Sequence, residues 1–242
     1  MPQSVLKFLL PGFHPRQAGV GAWQDASRRF ARLIGPMLLF GLAYGAAARL
    51  GLAYSSLAPN VTLIWAPTGI SLFVMLRWGA KFWPGILLGD LIANAGTGAP
   101  LVAILGISVG NILQAVVCVG LLGRADFCSE LSRVRDVVAL IALGTFCAAL
   151  SACIGPAALA ASGTIPWTVY PSVWIQWLMG DATGAVVLTP LLLAWWSPWP
   201  QEARSKTWAL EASALIGALV VLCAAIFGGL GWVNEGYFPA SL

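Results

Sequence analysis

Asp90 and Asp181 each stand inside an apolar stretch long enough to cross a membrane, and no lysine or arginine occurs at matching depth to neutralise either. A charged side chain near a bilayer centre costs roughly 2.5–3.5 kcal/mol on insertion scales, and such residues mark functional interiors. A carboxylate without a cationic partner must be protonated, hydrated or matched by something external, which makes a proton, a metal cation or an amine the fitting ligand. Other polar and aromatic groups gather at similar estimated depth. Asn94 lies one turn beyond Asp90 on the same face, and Asn111 and Gln114 lie mid-segment in the next stretch. Gln176 and Trp177 precede Asp181, and Trp65 and Thr68 flank Pro67. Trp65, Thr68, Asp90, Asn94, Asn111, Gln114, Gln176, Trp177 and Asp181 are therefore the candidate ligand-binding set, expected to converge on one outward-accessible polar pocket.

The elements that hold these groups follow from composition. Apolar residues make up 59% of the 242, charged residues 9%, and mean hydropathy is +0.84, against about 25% charged in an ordinary soluble domain. This is an integral membrane protein whose main partner is the lipid bilayer. Apolar runs at 33–55, 61–77, 82–97, 100–122, 137–161, 172–195 and 208–232 predict an all-α, polytopic helix bundle of about seven spans, since a hydrocarbon core is ~30 Å thick. The second and third runs are short and carry Pro or Gly. Barrel strands would alternate with period two, a pattern absent here.

The chain divides into a tail over 1–32, with an interfacial lead-in, and a membrane domain over 33–242. Lys7, Arg16, Arg28, Arg29 and Arg32 precede the first span; Arg77 and Lys81 follow the second, Arg124, Arg133 and Arg135 the fourth, and Arg204 and Lys206 the sixth. Positive charge marks cytoplasmic loops, so the N-terminus is expected in the cytoplasm. That distribution also explains the pI near 9.0 without nucleic acid as a partner. Seven spans from this start leave the Asn234–Pro239 tip outside.

Two motifs need to be weighed. Gly106-Ile107-Ser108-Val109-Gly110 matches the G-x-S-x-G of serine hydrolases, but it lies in an apolar helix and the one histidine, His14, is in the tail. No catalytic residue is assigned. Gly41/Gly45, Gly85/Gly89, Gly106/Gly110 and Gly180/Gly184 are G-x-x-x-G pairs, the spacing that lets helices approach closely in lipid. The five cysteines have no metal-ligand spacing, and neither a metal nor a cofactor can be named. Trp65-Ala66-Pro67-Thr68-Gly69 is expected to break a helix inside the membrane, and Pro190 to kink another.

Taken in order, Trp65-Ala66-Pro67-Thr68-Gly69, Trp83-Pro84-Gly85, Gly89-Asp90 with Asn94, Gly110-Asn111 with Gln114-Ala115, Trp174, Trp177, Gly180-Asp181, Gly184 and Thr189-Pro190 resemble the bacterial membrane-associated sensor domains of the first MASE class. The resemblance runs from about residue 35 to the end. Ala66 stands where that family commonly has proline, and Gln114 where it often has an acidic residue. The resemblance implies a non-enzymatic input module of about eight spans, joined on its cytoplasmic side to a histidine kinase, diguanylate cyclase or phosphodiesterase domain. An eighth helix and an output domain are thus expected beyond Leu242. It also implies a homodimer, with Gly41/Gly45 nominated as the intersubunit seam. The alternatives are a secondary transporter, for which broken helices and midplane polar groups speak, and a membrane assembly subunit.

Overall fold

The computed structural model describes residues 20–53 and 65–196, with side chains from 32 onward, and isolated positions at 210, 213, 214 and 217. The expected seventh span, the outer tip and most of the N-terminal tail lie outside the described residues. Within them the architecture is helical: α1 (Val20–Ala53), α2 (Ala66–Trp78), α3 (Trp83–Asn94), α4 (Leu101–Arg124), α5 (Val134–Ala161), α6 (Tyr170–Thr183) and α7 (Thr189–Trp196). A π-helical turn, Gly184–Leu188, joins α6 to α7, so Trp167–Trp196 forms one 30-residue rod.

Four helices are long and apolar enough to cross a bilayer: Arg32–Ala53, Leu101–Arg124, Val134–Ala161 and Trp167–Trp196. The expectation of seven spans is therefore larger than the structure supports. At 1.5 Å per residue, the 13 residues of α2 and the 12 of α3 rise only about 20 and 18 Å. Each is cut short by its own punctuation. Gly79, at φ +96°, ends α2 while its N–H bonds to the Met75 carbonyl; a 3-10 turn over Ala80–Phe82 follows, and Pro84 sits in the first turn of α3. Trp65-Ala66-Pro67-Thr68-Gly69 is likewise the start of α2 and not a break within it: Trp65 is its N-cap, and Pro67, which has no N–H to lose, lies in the first turn.

Glycines set the helix pairs. Gly85 and Gly89 on α3 receive Phe40 and Tyr44 of α1, while Gly41 and Gly45 on α1 receive Leu88 and Ile92 of α3. The two G-x-x-x-G motifs interlock within one chain. This corrects the assignment of Gly41/Gly45 to a dimer contact, because α3 already fills that groove. Gly106 and Gly110 of α4 lie against Ala158, Ile154 and Ser151 of α5, which bears out packing as the role of the G-x-S-x-G segment. Ser108 there donates to its own helix, to the Ile104 carbonyl at 3.0 Å.

The registers of these pairs show α1 parallel to α3, α4 antiparallel to α5, and α2 parallel to α6 and α7. Successive helices thus reverse direction, short ones included. Arg77, Lys81, Arg124, Arg133 and Arg135 collect at one end of the bundle. At the other end Arg49 caps α3 by donating to the Ile92 and Ala95 carbonyls, both at 2.9 Å. The outward faces are apolar, as Leu39, Val102, Phe146 and Trp195 illustrate, whereas Thr68, Asp90, Asn111, Gln114, Ser151 and Asp181 are buried. Apolar outward faces around a largely apolar interior that holds a few polar groups suit lipid as the surrounding solvent.

Candidate functional site

Each of the six helices from α1 to α6 sends at least one polar or indole side chain to a common interior. The Tyr44 hydroxyl of α1 donates to Asp90 Oδ1 of α3 at 3.1 Å. Asn111 of α4 donates through Nδ2 to both oxygens of Asp90, at 3.0 and 3.2 Å, and to the Tyr44 oxygen at 3.2 Å. Ser151 of α5 donates to Asn111 Oδ1 at 2.9 Å and accepts from Trp177 Nε1 of α6 at the same distance. Thr68 of α2 donates to Asp181 Oδ1 at 2.5 Å. Ser151 and Trp177 also face the Asp181 carboxyl, which ties the two aspartates into one cluster.

Local sequence explains this convergence. Gly89 admits the Tyr44 ring beside Asp90, and Gly155 admits the Trp177 indole beside Ser151. Gly184 lets the α2 start approach so closely that the Trp65 N–H donates to the Gly180 carbonyl at 3.0 Å, an unusual backbone bond between helices. Trp177 and Asp181, four apart, share a face of α6. The close-packing residues therefore position the polar ones.

The two carboxylates differ in how they are satisfied. Asp90 receives three bonds from neutral donors, and both oxygens are engaged. Asp181 has one oxygen on Thr68, while Oδ2 is buried with no hydrogen-bond partner among the described residues. Each residue is 1% exposed. A buried polar atom left unpaired costs about 1–3 kcal/mol, so it requires an account.

Of the residues nominated from sequence, Asp90, Asn111, Trp177, Thr68 and Asp181 meet in this cluster. Trp65 contributes its backbone N–H, and its ring faces the Tyr44 hydroxyl. Asn94 turns away, donating to the Asp90 backbone carbonyl at 2.9 Å. Gln114 is buried with both amide atoms unpaired, and Gln176 leaves Oε1 unpaired. The expected outward-accessible pocket is not open in this structure, because the helices close over both carboxylates. A cavity of about 370 Å³ does lie between the α3–α4 and α5–α6 loops, but Thr97, Gly98, Ala99, Pro100, Ser162, Gly163 and Thr164 line it and none of the nominated residues does.

Sequence reasoning missed Tyr44, Ser151 and Asp136. Tyr44 is the one tyrosine of α1, four residues after Phe40, and Ser151 belongs to a Cys147/Ser151/Gly155 series of small residues at helical spacing. Either pattern is a signal. Asp136 is buried at the start of α5, paired with Arg133 at 3.2 Å, and accepts the Cys128 N–H at 3.3 Å. It anchors the α4–α5 loop. Among the described residues no three His, Cys, Asp or Glu side chains are placed to hold a metal ion.

A helical bundle with apolar outward faces, several helices long enough to cross a bilayer and a buried acidic cluster defines a multi-pass membrane domain. The MASE1 family profile matches residues 36–242, and the chain belongs to that family. It is a membrane-associated sensor domain, a membrane sensory input module. No curated protein and no solved structure matches it.

Proposed function

We propose that this domain reads a cation, a proton or an amine at the Asp90–Asp181 cluster and passes that state to a cytoplasmic output, a histidine kinase or an enzyme of cyclic di-GMP turnover. In this reading the domain sits in a bacterial inner membrane with its N-terminus in the cytoplasm, works as a homodimer, and is not itself catalytic. The observation that carries the proposal is the unpaired, buried Oδ2 of Asp181. Among the nominated residues the buried unpaired atoms are richer in acceptors than donors: Asp181 Oδ2, Gln176 Oε1 and the Gln114 oxygen against the Gln114 amide nitrogen. A ligand that donates hydrogen bonds or carries positive charge complements such a set.

The closed cluster is one of two states a sensor needs, since a ligand shifts an equilibrium only through differential affinity for the two. The outer cavity, beginning at Thr97 just beyond Asn94, is the approach in this scheme. The test uses the full-length protein in native membranes, with output activity recorded as external pH and sodium, potassium or methylammonium are varied. Asp181→Asn keeps the shape and removes the charge, and is expected to insert normally while flattening the response. Normal responses from both Asp90→Asn and Asp181→Asn across all four variables would overturn the reading.

A further inference from the structure

The π-helical turn at Gly184–Leu188 begins three residues after Asp181 and ends two before Pro190. Pro190 has no N–H to give the Val186 carbonyl, and its ring would press on that carbonyl in a regular α-helix. One extra residue in the turn relieves the conflict, and π-bulges of this kind are concentrated at functional sites. Proline alone would have been served by a kink. Here the bulge is also held on its flank by α2.

Two contacts grip the near end of the turn: Trp65 N–H on the Gly180 carbonyl at 3.0 Å and Thr68 on Asp181 at 2.5 Å. One grips the far end, where Thr189 Oγ1 donates to the Gly69 carbonyl at 3.4 Å. Between them Gly69 lies against the Gly184 carbonyl and Leu188, with no room for a Cβ. The start of α2 thus acts as a template for the bulge, and one of its three clasps is a side chain of the proposed site. Below the turn, Trp196 of α7 packs on Trp78 and Phe73 of α2, with ring centroids 5.1 and 5.9 Å apart.

We infer that Gly184–Leu188 is a register switch, in which a change at Asp181 releases the Thr68 clasp, the π-turn reverts to α-helix, and α7 turns by one residue against α2. The inference rests on the sensory reading of Asp181. Resolving one extra residue rotates everything downstream by about 100° and advances it about 1.5 Å. Trp195, now outward-facing and 67% exposed, then takes the place of Trp196 against Trp78. Movement of packed elements between discrete registers is an established way to carry a signal through a helix bundle.

Disulfide crosslinking in native membranes tests the switch, on the full chain with its own cysteines replaced by alanine. Trp78→Cys is combined with either Trp196→Cys or Trp195→Cys. The unmodified turn is expected to favour the 78–196 crosslink. Pro190→Ala, which restores the missing N–H, and Asp181→Asn should each shift yield severalfold toward 78–195. Deleting Val187 removes the extra residue without turning α7, so 78–196 should persist and Asp181→Asn should no longer move it. A 78–196 preference unchanged in both Pro190→Ala and Asp181→Asn overturns the switch. So does an Asp181→Asn shift that survives the Val187 deletion, because movement would then bypass the turn. A shift in Pro190→Ala without one in Asp181→Asn leaves the register device standing and counts against the sensory reading of Asp181.

Discussion

The Asp90 half and the Asp181 half of the interior use the same residue type to opposite ends. Asp90 rides on an unbroken α3 whose glycines interlock with α1, and its carboxylate is fully occupied by Tyr44 and Asn111. Asp181 rides on a helix that departs from α geometry three residues later, and one of its oxygens has no hydrogen-bond partner among the described residues. A saturated polar network rigidifies its surroundings, whereas an incomplete one is a place where something else can bind. In the proposed sensory reading, the contrast separates an anchor from a receptor.

The largest expected effect breaks the anchor sterically. Gly89→Leu would drive a side chain into Tyr44, and overpacking of this kind costs about 1–3 kcal/mol. Thermal unfolding in detergent should occur at clearly lower temperature, while Gly120→Leu, a glycine with open space beside it, should leave the transition unchanged. Equal destabilisation by both would mean that the α1–α3 interlock has no special weight.

Tyr44→Phe is expected to be milder and to sharpen the comparison. It removes one donor from Asp90 and should lower stability while leaving the output's dependence on external cations intact. Thr68→Val makes the converse change at Asp181. Both remove hydrogen bonds between membrane helices, which average about 0.6 kcal/mol, so stability should fall by a similar amount in the two variants while the cation response changes severalfold in Thr68→Val alone. If the two variants exchanged these phenotypes, the roles assigned to the aspartates would be reversed.

The smallest effect concerns the bridge. Ser151 joins the Asn111 side to Trp177, so Asp90→Asn and Asp181→Asn should be non-additive in unfolding free energy by at least about 0.5 kcal/mol. In a Ser151→Ala background the coupling should shrink into the additive range. Full additivity with Ser151 present would show the two halves to be independent.

The uneven legibility of the chain has physical causes. Asp90, Asp181, Asn111 and the glycine seams stood out because charge and small size are exceptional against an apolar background, and such exceptions carry meaning in lipid. The long helices α4 and α5 came within a few residues of their expected limits for the same reason: length and hydropathy suffice. The end of α2 and the start of α3 fell within one residue of expectation, but α2 starts at Ala66 and not at 61, and α3 stops at Asn94, three residues early, since hydropathy does not register where a helix is capped. The destination of Gly41/Gly45 was misread because a glycine seam says that a helix approaches closely and not which helix. Tyr44 and Ser151 were overlooked as ordinary members of apolar helices. Their partners lie 46 and 40 residues away, a separation that no local pattern encodes.

The most direct measurement on the central claim compares the reactivity of the two carboxyls. A hydrophobic carbodiimide, which modifies carboxyl groups held in apolar surroundings, is applied to native membranes, and modification of Asp90 and Asp181 is followed by mass spectrometry. The account expects Asp181 to be modified severalfold faster than Asp90, with protection by sodium, potassium, methylammonium or raised pH revealing which ligand occupies Oδ2. Equal rates at the two residues, or preferential modification of Asp90, would contradict it.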